Sequence, residues 1–144
     1  MKIFITISKK SLYVILAVII IILLVASKVF YLTSANNFDG STNQKRVDYI
    51  LNLGFQVDET PIFEKQITIP KTFDEVYKKY NSLQSNAGFD LSNYKGKSAK
   101  VIAYKVKNEE KQVTLIIYKD RIIGGDVSSP QINGKMEPLK SGKK

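Results

Sequence analysis

Residues 97–127 read KSAKVIAYKVKNEEKQVTLIIYKDRIIGGDV, and their pattern decides the fold class. Apolar side chains recur with the period of two that a strand buried on one face requires, and two short polar breaks divide the stretch into three. The reading is three strands, Lys97 to Lys107, Gln112 to Lys119 and Arg121 to Val127. Tight turns at Asn108-Glu109-Glu110 and Lys119-Asp120-Arg121 join them as an antiparallel meander. In the first strand Ile102, Tyr104 and Val106 share one face, while Lys105 and Lys107 share the other with Val101 and Ala103. In the second, Val113, Leu115 and Ile117 share one face and Thr114, Ile116 and Tyr118 the other. With both faces apolar, this strand is expected at the buried centre of the sheet.

Working back toward the N-terminus, Gly88 to Gly96 reads as a loop whose aromatics cover an edge of the core. Before it, Phe73 to Gln84 carries a helical apolar stripe of Phe73, Val76, Tyr77, Tyr80 and Leu83. Thr72 with Glu75 forms a capping-box pattern at its start, Asp74 and Glu75 suit the positive end of its dipole, and Gly88 suits its stop. Lys65 to Ile69 alternates as a strand closed by Pro70, and Phe55 to Val57 reads as a shorter one. A second helix is expected from Thr42 to Leu53, with Ser41 and Gln44 as its capping box and Gly54 ending it. The fold class is therefore α+β, two helices packed on an antiparallel sheet of about four to five strands. The domain is expected over residues 41–128, with a loosely held Lys-rich tail over 129–144.

Ahead of that domain stands a different kind of sequence. From Leu12 to Ala26 no strongly polar side chain occurs, and apolar character resumes from Val29 to Leu32. At about 1.5 Å per residue, the segment to Leu32 makes a helix of roughly 31 Å, close to the roughly 30 Å hydrocarbon thickness of a bilayer. The expectation is a transmembrane helix over residues 11–32, preceded by a cytoplasmic basic N-terminus (1–10) and followed by a short polar linker (33–40). Lys28 sits where its ammonium can reach the interface, and Tyr13 and Tyr31 suit the two interfacial belts. Lys2, Lys9 and Lys10 precede the helix and no basic residue falls between Leu32 and Gln44, so the positive-inside bias places the C-terminal domain outside. The alternative is secretion after signal cleavage near Thr33-Ser34-Ala35, against which stands the bulky approach Lys28-Val29-Phe30-Tyr31-Leu32.

Composition narrows the chemistry. Of 144 residues, none is cysteine or histidine. Disulfides, thiolate metal sites, cysteine nucleophiles and the commonest neutral-pH general base are thereby excluded. Net charge is +9. With the four lysines of the anchor region (Lys2, Lys9, Lys10, Lys28) set aside, 18 basic and 13 acidic residues leave the outer domain at +5. Only Arg46 and Arg121 supply the bidentate fork that nucleic-acid sites favour, so no nucleic-acid partner is expected.

Three groups of residues stand out as candidate binding positions. Gly124-Gly125-Asp126 permits close approach of a ligand to the backbone with a carboxylate beside it, although a strand bulge or crowded crossing explains paired glycines more simply. Tyr77, Tyr80, Phe89 and Tyr94 offer faces for an aromatic groove, against the simpler role of core. Lys95, Lys97, Lys100, Lys105, Lys107 and Lys111 form the densest basic stretch. Lys105 and Lys107 lead it as contacts for anionic headgroups or wall polymer, against the simpler role of a solvated strand face. No catalytic residue, metal ligand or cofactor site is expected.

Several strings taken together resemble a known family. Asp48-Tyr49-Ile50-Leu51-Asn52-Leu53-Gly54-Phe55, Ile69-Pro70, Phe73-Asp74-Glu75-Val76-Tyr77-Lys78-Lys79-Tyr80-Asn81, Gly88-Phe89-Asp90-Leu91 and Ile122-Ile123-Gly124-Gly125-Asp126-Val127 are similar to the DUF4830 family of Firmicutes. The resemblance implies a bacterial extracytoplasmic domain behind a single anchor, and it brings no catalytic residue. The function expected is thus a non-enzymatic, membrane-tethered interaction or regulatory domain whose partner is an unknown protein or an anionic component of the cell envelope. An electrostatic adaptor for lipid headgroups or wall polymer is one alternative, and a carboxylate-dependent enzyme using Asp126 is the other.

Overall fold

The computed structural model describes residues 9–34, 38–131 and 134–140, and the chain divides into two units, Met1–Ala35 and Asn36–Lys144. In the first, the long apolar run winds into α1 (Lys9–Ser34), 26 residues without a break. Its described side chains run uninterrupted only from Tyr13 to Ser27, and among the described residues no helix is long and apolar enough to cross a membrane. Lys2, the side chains of Lys9, Lys28 and Tyr31, residues 35–37 of the expected linker and the terminal Lys143-Lys144 lie outside what is described.

The second unit contains, in chain order, β1 (Phe38–Asp39), α2 (Asn43–Asn52), β2 (Phe63–Thr68), α3 (Glu75–Ser85), a 3-10 turn (Leu91–Tyr94), β3 (Ser98–Lys105), β4 (Gln112–Tyr118), β5 (Arg121–Ser128) and β6 (Met136–Pro138). The meander forms as its alternation requires, with Tyr104 opposite Val113 and Leu115 opposite Gly125. Between β4 and β5 the two turn residues Lys119 and Asp120 both have positive φ, 46° and 63°, the conformation whose twist matches that of the flanking strands. The strand order is β1-β5-β4-β3-β2, so β4 is central, as its two apolar faces demand. β1 pairs with one end of β5 at Ile122 and Arg121, and β6 with the other end at Asp126 to Ser128. Both cover the same outer edge of β5 and leave the stretch Ile123–Gly125 between them.

Each sheet face has its own apolar layer. On one, Ile102, Tyr104, Val113, Leu115, Ile117 and Ile122 pack with Ile50 of α2. On the other, Ala99, Ile116 and Ile123 pack with Ile69, Leu91 and the α3 residues Tyr77 and Tyr80. α2 is keyed to its face by the fully buried Tyr104, whose hydroxyl donates to Asn43 Oδ1 (2.9 Å) and accepts from Arg46 Nε (2.8 Å). Both helices stop the same way. Gly54 (φ 94°) and Gly88 (φ 83°) take the left-handed conformation, and the phenylalanine after each returns its N–H to the last turn, Phe55 to Ile50 O and Phe89 to Gln84 O.

The structure differs from the sequence reading in several places, each with a local cause. The first helix is capped by Thr42, whose Oγ1 accepts from Lys45 N, because the Asp39 carboxylate takes the Ser41 N–H and Gln44 turns to Asp48. The second is capped by Asp74, accepting from Tyr77 N at 2.8 Å, while Glu75 pairs with Lys78. In its buried stripe Gln84 is fully enclosed and Val76 is 76 % exposed, the reverse of what hydropathy predicts. Phe55 to Val57 contributes one bridge, Val57 to Val106, in place of a strand. The expected linker and tail both join the sheet, as β1 and β6, and Leu139 is buried. The sheet accordingly has six strands, and the folded domain reaches beyond 41–128 at both ends.

Candidate functional site

The polar groups most deeply enclosed in the domain meet where α3 crosses β5. Tyr80 and Gln84 stand four residues apart on one face of α3 and so project together. Tyr80 donates its phenolic hydrogen to Asp126 Oδ2 at 3.0 Å, and Gln84 Oε1 accepts the Gly125 N–H at 2.8 Å. This second bond serves a backbone group of the stretch that neither β1 nor β6 covers. With Oε1 fixed by that donor, Gln84 Nε2 is left buried without a partner among the described residues. An unpaired buried donor costs about 1–3 kcal/mol.

The paired glycines are explained here. The register with β4 shifts between Ile116 and Ile117, so Ile123 is an extra residue and β5 bulges. A Cβ on Gly125 would collide with the Thr114 carbonyl oxygen and lie 2.6 Å from Leu139 Cδ2. One on Gly124 would lie 2.8 Å from Gln84 Oε1. The glycines thus admit Gln84 and Leu139 to the backbone of β5.

Electrostatically the node is shut off from water. Burial pushes the Asp126 carboxyl above its ordinary range, against the opposing effect of hydrogen bonds from Tyr80 and Ser128. Burial also pushes the Tyr80 phenol far up, with the adjacent Asp126 charge adding to it. Asp126 is 3 % exposed. A carboxyl so placed can hold a proton and fix α3 against β5, but it does not face solvent. Among the described residues no group of three or more metal-ligating side chains occurs.

The four aromatic candidates do not share one surface. Tyr77 and Tyr80 meet edge to face at 5.9 Å, and Tyr94 packs on Tyr118 at 5.5 Å, all beneath α3. Phe89 belongs to the opposite layer and meets Phe38 at 6.1 Å. The basic stretch is also dispersed. Lys100 pairs with Glu64, Lys111 with Glu109, and the Lys95 ammonium lies 4.7 Å over the Phe73 ring. Lys105 and Lys107 are exposed at the end of β3, and Lys107 borders a shallow groove with Val47, Leu51 and Phe55 of the α2 side.

Sequence reasoning passed over Gln84 and Arg46. Gln84 was signalled only by its spacing from Tyr80. Arg46 is one of just two arginines in the chain, and it is held by Tyr104 and by the Gly40 carbonyl (2.9 Å).

No curated protein and no solved structure matches the chain. A family model described as a domain of unknown function matches residues 49–127, from within α2 to one residue short of the end of β5, and takes in Tyr80, Gln84 and Asp126. That span is more than half of the sequence, and the chain belongs to the DUF4830 family.

Proposed function

We propose that α1 anchors the protein in a membrane, N-terminus inside, and that the DUF4830 domain works on the outer side as a non-catalytic interaction or regulatory module. The observation that carries the anchor is the exposure of its apolar side chains. Tyr13, Val14, Ile15, Leu16 and every residue from Val18 to Val25 are 44–72 % exposed on all sides of one helix. A helix apolar all round calls for an apolar solvent, and the sequence's apolar run to Leu32, about 31 Å at 1.5 Å per residue, matches the roughly 30 Å hydrocarbon thickness once the positions outside the described side chains are counted. The non-catalytic part rests on the buried Asp126 carboxyl and the Tyr80 phenol bonded to it being turned inward as a structural clasp.

The absence of native cysteine makes the topology directly measurable. In intact cells a membrane-impermeant maleimide should label Thr60→Cys, while Ser8→Cys should react only after lysis. The full-length chain should stay with the membrane through carbonate extraction. Recovery of that chain in the soluble fraction, or protection of Thr60→Cys until lysis, would refute the anchored, outward-facing arrangement.

A further inference from the structure

On the α2 side of the sheet, the row beyond Ile102 carries polar side chains on β2 and β3, and Ile117 of β4 stays buried beside them, so the floor there is only partly polar. Gln66, Lys100 and Ile117 stand in one row across β2, β3 and β4, and Ser98 shares the face two residues before Lys100. Above this floor opens a groove of about 200 Å³, bordered by Arg46 from α2 and by Ser41 and Lys119 from the flanking turns. Three cations line it against one carboxylate, Asp120.

Arg46 is the fixed point. Its Nε is held by Tyr104 and one Nη1 hydrogen by the Gly40 carbonyl, and Tyr104 is held in turn by Asn43. A guanidinium carries five N–H donors, so three are left for a ligand. The fold has already ordered the side chain, which removes much of the entropy cost that weakens recognition by surface lysines. The other polar groups approach from different elements. Gln66 and Ser98 rise from the floor, joined by a 2.7 Å hydrogen bond, and Ser41 and Lys119 come from the rim. A planar carboxylate answers one such direction. A tetrahedral group answers several, and the hydroxyls and the amide both donate and accept, as a polyol requires. Because Glu64 neutralises Lys100 and Asp120 faces the rim, the groove has the charge to hold one anionic group at a time.

We propose that this groove binds a phosphate ester of a small polyol, of the glycerophosphate class. Phosphate oxygens sit on Arg46, joined by the Lys119 ammonium, which rests 5.5 Å over the Tyr118 ring and turns to the ester when it binds, and polyol hydroxyls sit on Gln66, Ser98 and Ser41. The assignment deepens the interaction reading given above and rests on it only in taking the domain to bind and not to react. It is independent of the topology, which maleimide labelling tests separately.

The test uses the full chain, ¹⁵N-labelled, in maltoside micelles that contain no phosphate, titrated with glycerol phosphate and, as control, glycerol. Saturable shifts are expected at the Gly40, Ser41, Ser98 and Lys100 amides and at Arg46 Nε–H for glycerol phosphate alone. Gln66→Glu, at an exposed position, places a negative charge on the groove floor and should weaken binding on the order of tenfold while leaving the remaining spectrum intact. Lys119→Gln should weaken it in the same direction. Absence of saturation, equal shifts with glycerol, or shifts centred on Lys105 and Lys107 that Gln66→Glu leaves unchanged would overturn the proposal. The ester's source is then separated by doping phosphatidylglycerol into the micelles and by adding soluble polyglycerol phosphate. Either one that reproduces the same shifts identifies the source and supports the site, and failure of both overturns it.

Discussion

Gly125 sits where three parts of the chain converge: the Thr114 carbonyl from β4, Leu139 from beyond β6, and Gln84 from α3. Backbone and a buried leucine cannot yield to a methyl group, so Gly125→Ala forces the bulge apart. The expected loss is about 3 kcal/mol, the upper part of the usual overpacking range, read as the denaturant midpoint of the full chain in micelles. Asp126 makes a prediction with a sign. Its carboxyl is raised in the folded state above the ordinary 3.8, so its neutral form is the one that folding favours. The stability it contributes is complete below that ordinary value and is lost as pH climbs through the raised one. Asp126→Asn, which keeps an acceptor for Tyr80, should therefore gain stability relative to the parent as pH rises from 4 to 8. Loss of stability by Asp126→Asn relative to the parent over that range would contradict the burial argument. Part of this node is legible in the sequence, because adjacent glycines before an aspartate mark a bulge or crossing. Gln84 is not, since glutamine on a helix ordinarily faces water and only a neighbouring backbone N–H without a strand partner gives it a reason to turn inward.

At the scale of elements, the legible pieces are those long enough to show a period. β3, β4 and β5 have eight, seven and eight residues, and their alternation fixes both pairing and face. β1 and β6 have two and three, too few to display any period, and their membership in the sheet is decided by the open edge of β5. Helix starts shift for a similar reason. Capping is a competition among neighbouring oxygens, and at both starts a carboxylate, Asp39 or Asp74, settles the outcome within a residue or two of the hydroxyl that the pattern favours. β6 matters more than its length suggests, because it delivers Leu139, 1 % exposed, into the α2-side layer. Leu139→Ala should cost about 3 kcal/mol. Truncation after Ser129 should cost at least as much, measured by the same unfolding midpoint, whereas a tail with no part in the core would leave the midpoint unchanged.

For the molecule as a whole, the question is where the self-sufficient domain begins. Both apolar layers are built from residues between Phe38 and Leu139, so the second unit holds a complete core by itself. A chain starting at Asn36 should fold, remain soluble and unfold at the same denaturant concentration as the full chain in micelles. One starting at Ser41 is shorter by only five residues, yet it loses three connections at once. Phe38 no longer packs on Tyr49, 4.6 Å away, or on Phe89. The Gly40 N–H to Asp120 O bond of 2.7 Å that ties the chain to the β4–β5 turn disappears. Arg46 also loses the Gly40 carbonyl that helps to aim it. Removal of a half-buried phenylalanine costs about 2–3 kcal/mol, and the released edge of β5 at Ile122 adds exposed strand. The shorter chain should therefore unfold at distinctly lower denaturant and self-associate more readily. It should also bind glycerol phosphate more weakly if Arg46 anchors that site. Equal midpoints for the two chains would mean that β1 is an ornament of the sheet, and the domain would then start at α2, where the apolar periodicity of the sequence first becomes visible.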